Sequence, residues 1–305
     1  MVLLSVLGAI GIIYILVIQM SADAMFTSKY YQKIYFKEKA YYISRSVYGG
    51  VQQLFYFDTA DVDSFHDHWA LGIPSYEMED EKVNISIEVE DLERYINPNV
   101  LLSGANPKKE NIKLFRRLFR NLQIEPELVN PLIDWIDADQ IRRVPFGADG
   151  WDYTDIPSKG GPLDSIEEIK LIKRLGEHYQ GKIVGKEVLP GLKDVLTVYS
   201  GGKINVNTAG PDVLMCLDDE MNEDLVDEII RSREMAPIKK IDKLVDIAGM
   251  NYDLLYRIKK HADVCSTAFK VTITIDSFDE RDSAQLVVIF KRGKKGGKII
   301  YWQAQ

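Results

Sequence analysis

Met1 to Ala22 reads MVLLSVLGAIGIIYILVIQMSA, and no charged residue interrupts it before Asp23. A helix over that stretch, rising ~1.5 Å per residue, is about 33 Å long, enough to cross the hydrocarbon core of a bilayer. Gly8 and Gly11 suit a membrane helix, where glycine is better tolerated than in soluble helices. A cleaved secretory signal would carry a basic segment before the apolar run and a small-residue cleavage site after it; neither is present. Past the run, Tyr30, Tyr31, Ile34, Tyr35, Tyr41, Tyr42, Ile43, Val47, Val51 and Leu54 recur at three- and four-residue spacings. The pattern predicts one helix of about 50 residues, its first half in a membrane and its second half carrying a globular domain.

With 305 residues, the chain has room for a stem and one or two domains. Its net charge of -8 gives a nucleic-acid partner no support. Cys216 and Cys265 are too few for a disulfide framework; a single bridge or two buried thiols both fit. Val83 to Val89 alternates apolar and polar residues and predicts a half-buried strand. Phe269 to Ile275, Ala284 to Phe290 and Ile299 to Trp302 predict three more in an antiparallel meander. Between the two strand regions the pattern is helical. The expected fold class is therefore α+β, divided into a transmembrane and stem helix (1–55), a sheet domain (56–96 with 264–305) and an inserted all-helical domain (97–263).

The insert repeats itself. Ile96-Asn97-Pro98-Asn99 matches Ile204-Asn205-Val206-Asn207, the run from Leu128 matches the run from Leu225, and that from Leu163 matches that from Ile238. The first copy is longer than the second by about 22 residues between its matched segments. That surplus falls in an acidic loop, Asp134 to Asp155 (DWIDADQIRRVPFGADGWDYTD). Asp137, Asp139, Asp149, Asp152 and Asp155 could supply oxygen ligands to a hard cation such as calcium. The positions of an EF-hand are not matched, and a solvated loop with helix-capping aspartates is the alternative. His66 and His68 flank Asp67 with no third soft ligand nearby, which fits an exposed loop better than a metal pair.

The second copy also resembles a helix-hairpin-helix DNA-binding module, which needs a glycine-rich hairpin whose amides approach a phosphate. One hairpin here keeps only Gly249, and the other, Asp218-Asp219-Glu220, would repel phosphate. No nucleophile with a base, and no phosphate loop, accompanies the carboxylates, so no enzyme is expected.

Several motifs together carry a family resemblance: the start MVLLSVL, LVNPLIDWIDAD, RVPFGADGWDY, GPLDSIEEI, GGKINVNTA and the strand-rich end. Over essentially its whole length the chain resembles the type II secretion minor pseudopilin K family (general secretion pathway protein K). The resemblance implies a pilin-like fold, a long N-terminal helix on an antiparallel sheet with a large helical insert. It implies a single-pass inner-membrane protein with a periplasmic domain; Met1 is then the mature N-terminus left by leader cleavage, the reading favoured by the match of MVLLSVL to the family's cleaved start, with an initiator methionine as the alternative. Most pilin-like subunits carry a glutamate at the fifth mature position, which pairs with a neighbour's N-terminal amine; Ser5 stands there here, implying a subunit at the filament tip. The implied partners are minor pseudopilins I and J, with H nearby, the pseudopilus, and beyond it the secretin or secreted cargo. Structural calcium, held by the matching aspartates among 137, 139, 149, 152 and 155, is implied as well. The competing expectation is a membrane-tethered DNA receptor or a type IV pilus or competence minor pilin.

Overall fold

The computed structural model describes residues 2–58, 61–104, 106–139, 141–148, 150–153, 158–185, 187–279, 281–293 and 296–305. Helix α1 runs without a break from Val2 to Phe57, slightly past the expected end of the stem. It contains the one described helix long and apolar enough to cross a membrane. Side chains are exposed along its whole first half, and burial begins only at Ala40. From there Ala40, Ser44, Tyr48, Val51 and Phe55 form a stripe at helical spacing that packs on the sheet.

Five antiparallel strands build that sheet: β1 (Ile73–Met78), β2 (Val83–Asp91), β3 (Ala268–Ser277), β4 (Ser283–Gly293) and β5 (Gly296–Ala304), in that spatial order. Register places like with like on the face under α1. Ile87 faces Ile273, which faces Leu286; Val89 faces Val271, which faces Val288, which faces Trp302. Because side chains alternate across a strand, a slip of one residue would turn this row to the opposite face. Phe55 closes the helix end of the core against Phe269 and Phe290, at ring centroids 4.7 and 4.9 Å away, with Trp69 completing the cluster.

β1 was not predictable from alternation. Its sequence, IPSYEM, contains Pro74, which a central strand excludes and an edge strand accepts. β1 is an edge strand, and its ladder shifts register between Ile73 and Tyr76.

The chain leaves the sheet after β2 and returns at β3, and a second core fills the segment between, from Ile96 to Val264. Its main helices are α2 (Lys109–Asn121), α3 (Val129–Ile136), α4 (Glu223–Met235) and α5 (Tyr252–Ile258). It is not all-helical as expected. The runs matched at Leu163 and Ile238 fold into 3-10 turns, Ile166–Leu171 and Ile241–Asp246, and Lys182–Val184 pairs with Glu187–Leu189 as a small hairpin. Two short helical periods cannot be told from 3-10 turns by apolar spacing alone.

The repeat is physical. Asn97 and Asn205 each accept, through Oδ1, the backbone N–H two residues on, at 2.9 and 3.0 Å. Asn99 then clamps Leu163, accepting its N–H (2.7 Å) and donating to its carbonyl (3.0 Å). Asn207 does the same to Ile238, at 2.9 and 3.1 Å. Each copy is also closed by a short parallel pairing, Ile96 with Leu196 and Ile204 with Ala262. A primary amide offers one acceptor and two donors in one plane, so it can replace a strand partner for a single residue.

Asn207→Ala strands both polar groups of Ile238 in the core. The expected loss is roughly 2 kcal/mol or more in chemical unfolding, with a smaller loss for Asn99→Ala, whose clamp is partly exposed.

Candidate functional site

Three places in the molecule carry candidate function: the bare half of α1, the acidic loop after α3, and the seam between sheet and insert. Near the start of α1, Ser5 donates its hydroxyl to the carbonyl of Val2 at 2.8 Å. The helix thus satisfies this hydroxyl internally, and Ser5 demands no partner inside a bilayer. Met1 lies outside the described residues.

In the acidic loop the arginine that follows the aspartates organises them. Asp134, at the end of α3, accepts from Arg143 Nη1 (2.6 Å) and from the Arg143 backbone N–H (3.0 Å). Arg143 Nη2 donates to Asp137 at 2.7 Å, and Asp139 lies 3.8 Å from the same nitrogen. Burial pushes the Asp134 carboxyl up, while the Arg143 hydrogen bonds pull it back. Gly147 makes this closure possible: a Cβ there would come within 2.1 Å of the Arg143 carbonyl oxygen and 2.3 Å of Asp134 Oδ2. Asp152 lies instead beside Arg142, at 3.5 Å. Asp149 and Asp155 lie outside the described residues.

Calcium, implied for this loop by the resemblance, is matched in kind by carboxylates on a turn-rich segment. Yet among the described residues no group of three or more His, Cys, Asp or Glu is arranged to hold an ion. Asp137 Oδ2 faces a guanidinium and Oδ1 accepts the Asp139 N–H, so Asp137 would ligate only as part of a rearranged loop. His66 is engaged elsewhere, its Nε2 lying 3.0 Å from the Arg233 carbonyl oxygen. Cys216 and Cys265 are both free thiols, so the possible bridge is not formed. Cys216 is fully buried and donates to the Val213 carbonyl, and burial pushes its thiol up to about 12, which leaves it unreactive.

Sequence reasoning missed the seam altogether. Asp91, the last residue of β2, is buried. Its Oδ2 accepts from Ser266 Oγ (2.7 Å), Thr208 Oγ1 (2.5 Å) and Asn205 Nδ2 (3.1 Å). Asp63, also buried, accepts from the Ser266 N–H and from Arg292, both at 2.7 Å. Glu93 accepts from the Gly201 and Ala268 N–H groups and the Thr267 hydroxyl. One network therefore ties the loop after α1, both sheet strands at the exit and the start of the second repeat. The signal available in sequence was polar residues flanking strand ends, which is also what ordinary turns look like. Burial raises the Asp91 carboxyl to about 7, with the neighbouring Glu93 adding to the rise, and burial raises Asp63 to about 6.

Models described as type II secretion system protein K match the chain at residues 95–183 and again at 204–259. Type II secretion system protein K of Pseudomonas aeruginosa is 27% identical over 184 residues, 57% of this chain and 52% of that protein. The chain thus matches about half the length of that relative. A solved chain in the GspK-GspI-GspJ complex of the enterotoxigenic Escherichia coli type 2 secretion system shares the fold. The TM-score is 0.64, at 16% identity over 92% of this chain and 98% of that one.

A carboxyl raised from 3.8 to about 7 in the folded state favours folding most below pH 3.8 and loses that contribution as pH rises through 7. Asp91→Asn cannot ionise. The melting temperature of the wild type minus that of Asp91→Asn should therefore fall as pH rises from 6 to 8; a constant difference would contradict the assignment.

Proposed function

We propose that this chain, which belongs to the type II secretion protein K family, is a minor pseudopilin at the tip of the pseudopilus, where it supports protein export across the outer membrane. The observation that carries this reading is α1. Its first half is apolar and exposed, with no covering from its own domain, while its second half is fused to a sheet core. A helix of this kind needs a bilayer before assembly and other helices after it. The protein would be anchored in the inner membrane by this single span, with sheet and insert in the periplasm. Its partners would be minor pseudopilins I and J, with H nearby. The bulky insert would cap their assembly and face the secretin or cargo.

Tip placement is supported by Ser5, whose hydroxyl is satisfied by Val2 and which has no charge to pair with a neighbour's amine. A structural, non-enzymatic role is supported by the use of the buried carboxylates, which hold backbone and arginine at the seam. DNA binding is disfavoured at the hairpin in the second repeat. Asp218 and Glu220 engage Arg257, and Asp219 faces Arg117 and Arg120, so carboxylates occupy the nearest cations.

Residues 2–26, which a truncation before Thr27 removes, are exposed helix throughout. The remaining chain, mixed with the soluble domains of candidate I and J subunits from the same organism, should co-elute with both as a one-to-one-to-one complex in size-exclusion chromatography. Three separate peaks at micromolar concentration would refute the assignment.

The acidic loop is proposed to hold structural calcium, with ligands drawn from Asp137, Asp139, Asp149, Asp152 and Asp155. An ion that binds only the folded state raises the melting temperature in proportion to the logarithm of its concentration over its Kd. Adding a chelator should lower melting by several degrees and calcium should restore it, with the loss abolished in Asp139→Asn combined with Asp152→Asn. Identical melting with and without chelator would remove calcium from the account.

A further inference from the structure

Two arginines converge on one ring where the insert meets the loop after α1. Phe65 lies in that loop, Arg94 in the turn after β2, and Arg233 in the last turn of α4. The Arg94 and Arg233 guanidinium carbons lie 5.8 and 5.9 Å from the centroid of the Phe65 ring. Neither cation is well matched by a carboxylate. Arg233 is 9% exposed, and its Nη1 donates to the carbonyls of Val206 (2.8 Å) and Ala209 (2.7 Å). No ion pair reaches it among the described residues. The nearest carboxylate to Arg94 is Glu90, at 4.0 Å, and Glu90 is already engaged by the Tyr95 hydroxyl and by Lys270.

Two like charges beside a half-exposed aromatic ring are costly, the more so as one of them is buried. The carbonyl end of α4 offsets part of this cost for Arg233. A guanidinium presents a planar fork of donors that matches the oxygens of a carboxylate or phosphate, and two forks can share one such group. The ring supplies a flat apolar floor beside both forks, of which that of Arg233 is buried and that of Arg94 partly exposed. We propose that Arg94 and Arg233, floored by Phe65, form a binding site for an oxyanion of the carboxylate or phosphate class. Burial first, and then the charge of Arg94, lowers the Arg233 side chain to about 10. A bound anion would reverse that mutual penalty. None of its three residues belongs to the acidic loop or to α1.

The test uses the full-length chain in neutral detergent micelles, melted in sodium chloride, inorganic phosphate or glutarate at equal ionic strength. Phosphate, glutarate or both should raise the melting temperature over chloride by about 2 °C or more at millimolar concentration. A response to phosphate alone assigns a phosphate ligand, and a response to glutarate assigns a carboxylate. Arg233→Gln removes two carbonyl clamps and could fail to fold for that reason, so the decisive variant is Arg94→Gln, a partly exposed position. It should abolish the anion response and, without the anion, melt no lower than wild type. The proposal is overturned by equal melting in all three salts, by an anion response that survives Arg94→Gln, or by a marked loss of stability in that variant without anion.

Discussion

The architecture depends on one rung of the sheet. The chain departs at Asp91 and returns at Phe269, and these two residues face each other across the β2–β3 ladder. An insertion whose ends are neighbours costs the host sheet little, because the strands on either side keep the register they would have had with a short turn. It demands, however, that the exit point be held closed. Three buried carboxylates, Asp63, Asp91 and Glu93, do this by gathering backbone amides, hydroxyls and Arg292 from every segment that passes the junction. Two of them sit in an environment that resists ionisation, so closure of the insert is linked to proton concentration.

Much of this was legible in the sequence where a single physical signal dominated. The uninterrupted apolar run and the spacing from Tyr30 onward located α1, and β-branched alternation located β2 to β5 to within a few residues. The repeated Asn-x-Asn pattern pointed to a duplication, and the clamps made by Asn99 and Asn207 give its physical reason. What stayed illegible was pairwise. Nothing in the text DWIDAD says that Arg143 will fold back between Asp134 and Asp137, because that contact depends on the close approach at Gly147. Pro74 hid β1, since only the strand's position at an edge makes proline acceptable there. The seam drew on residues from 63 to 292, each of an ordinary polar type.

The two repeats show how one scaffold diverges while its fastenings stay fixed. Both retain the asparagine cap, the asparagine clamp and the parallel closure. The first copy has spent its extra length on the loop built around Arg143, whereas the second keeps a tight turn at Gly249, whose φ of 89° only glycine adopts freely. Family models of protein K recognise the copies separately, at 95–183 and 204–259, which agrees with two units held by the same rule and elaborated differently.

The division of cores also decides where tension would travel. A pull along α1 enters the sheet through the stripe from Ala40 to Phe55 and is borne by the strands beneath it. The insert hangs from the far end of two adjacent strands, with its own core, so it is a passenger outside the line of force. A helix joined to a sheet in this way can be pushed or withdrawn without loading the insert, and the insert can change shape without loosening the grip of the sheet on the helix.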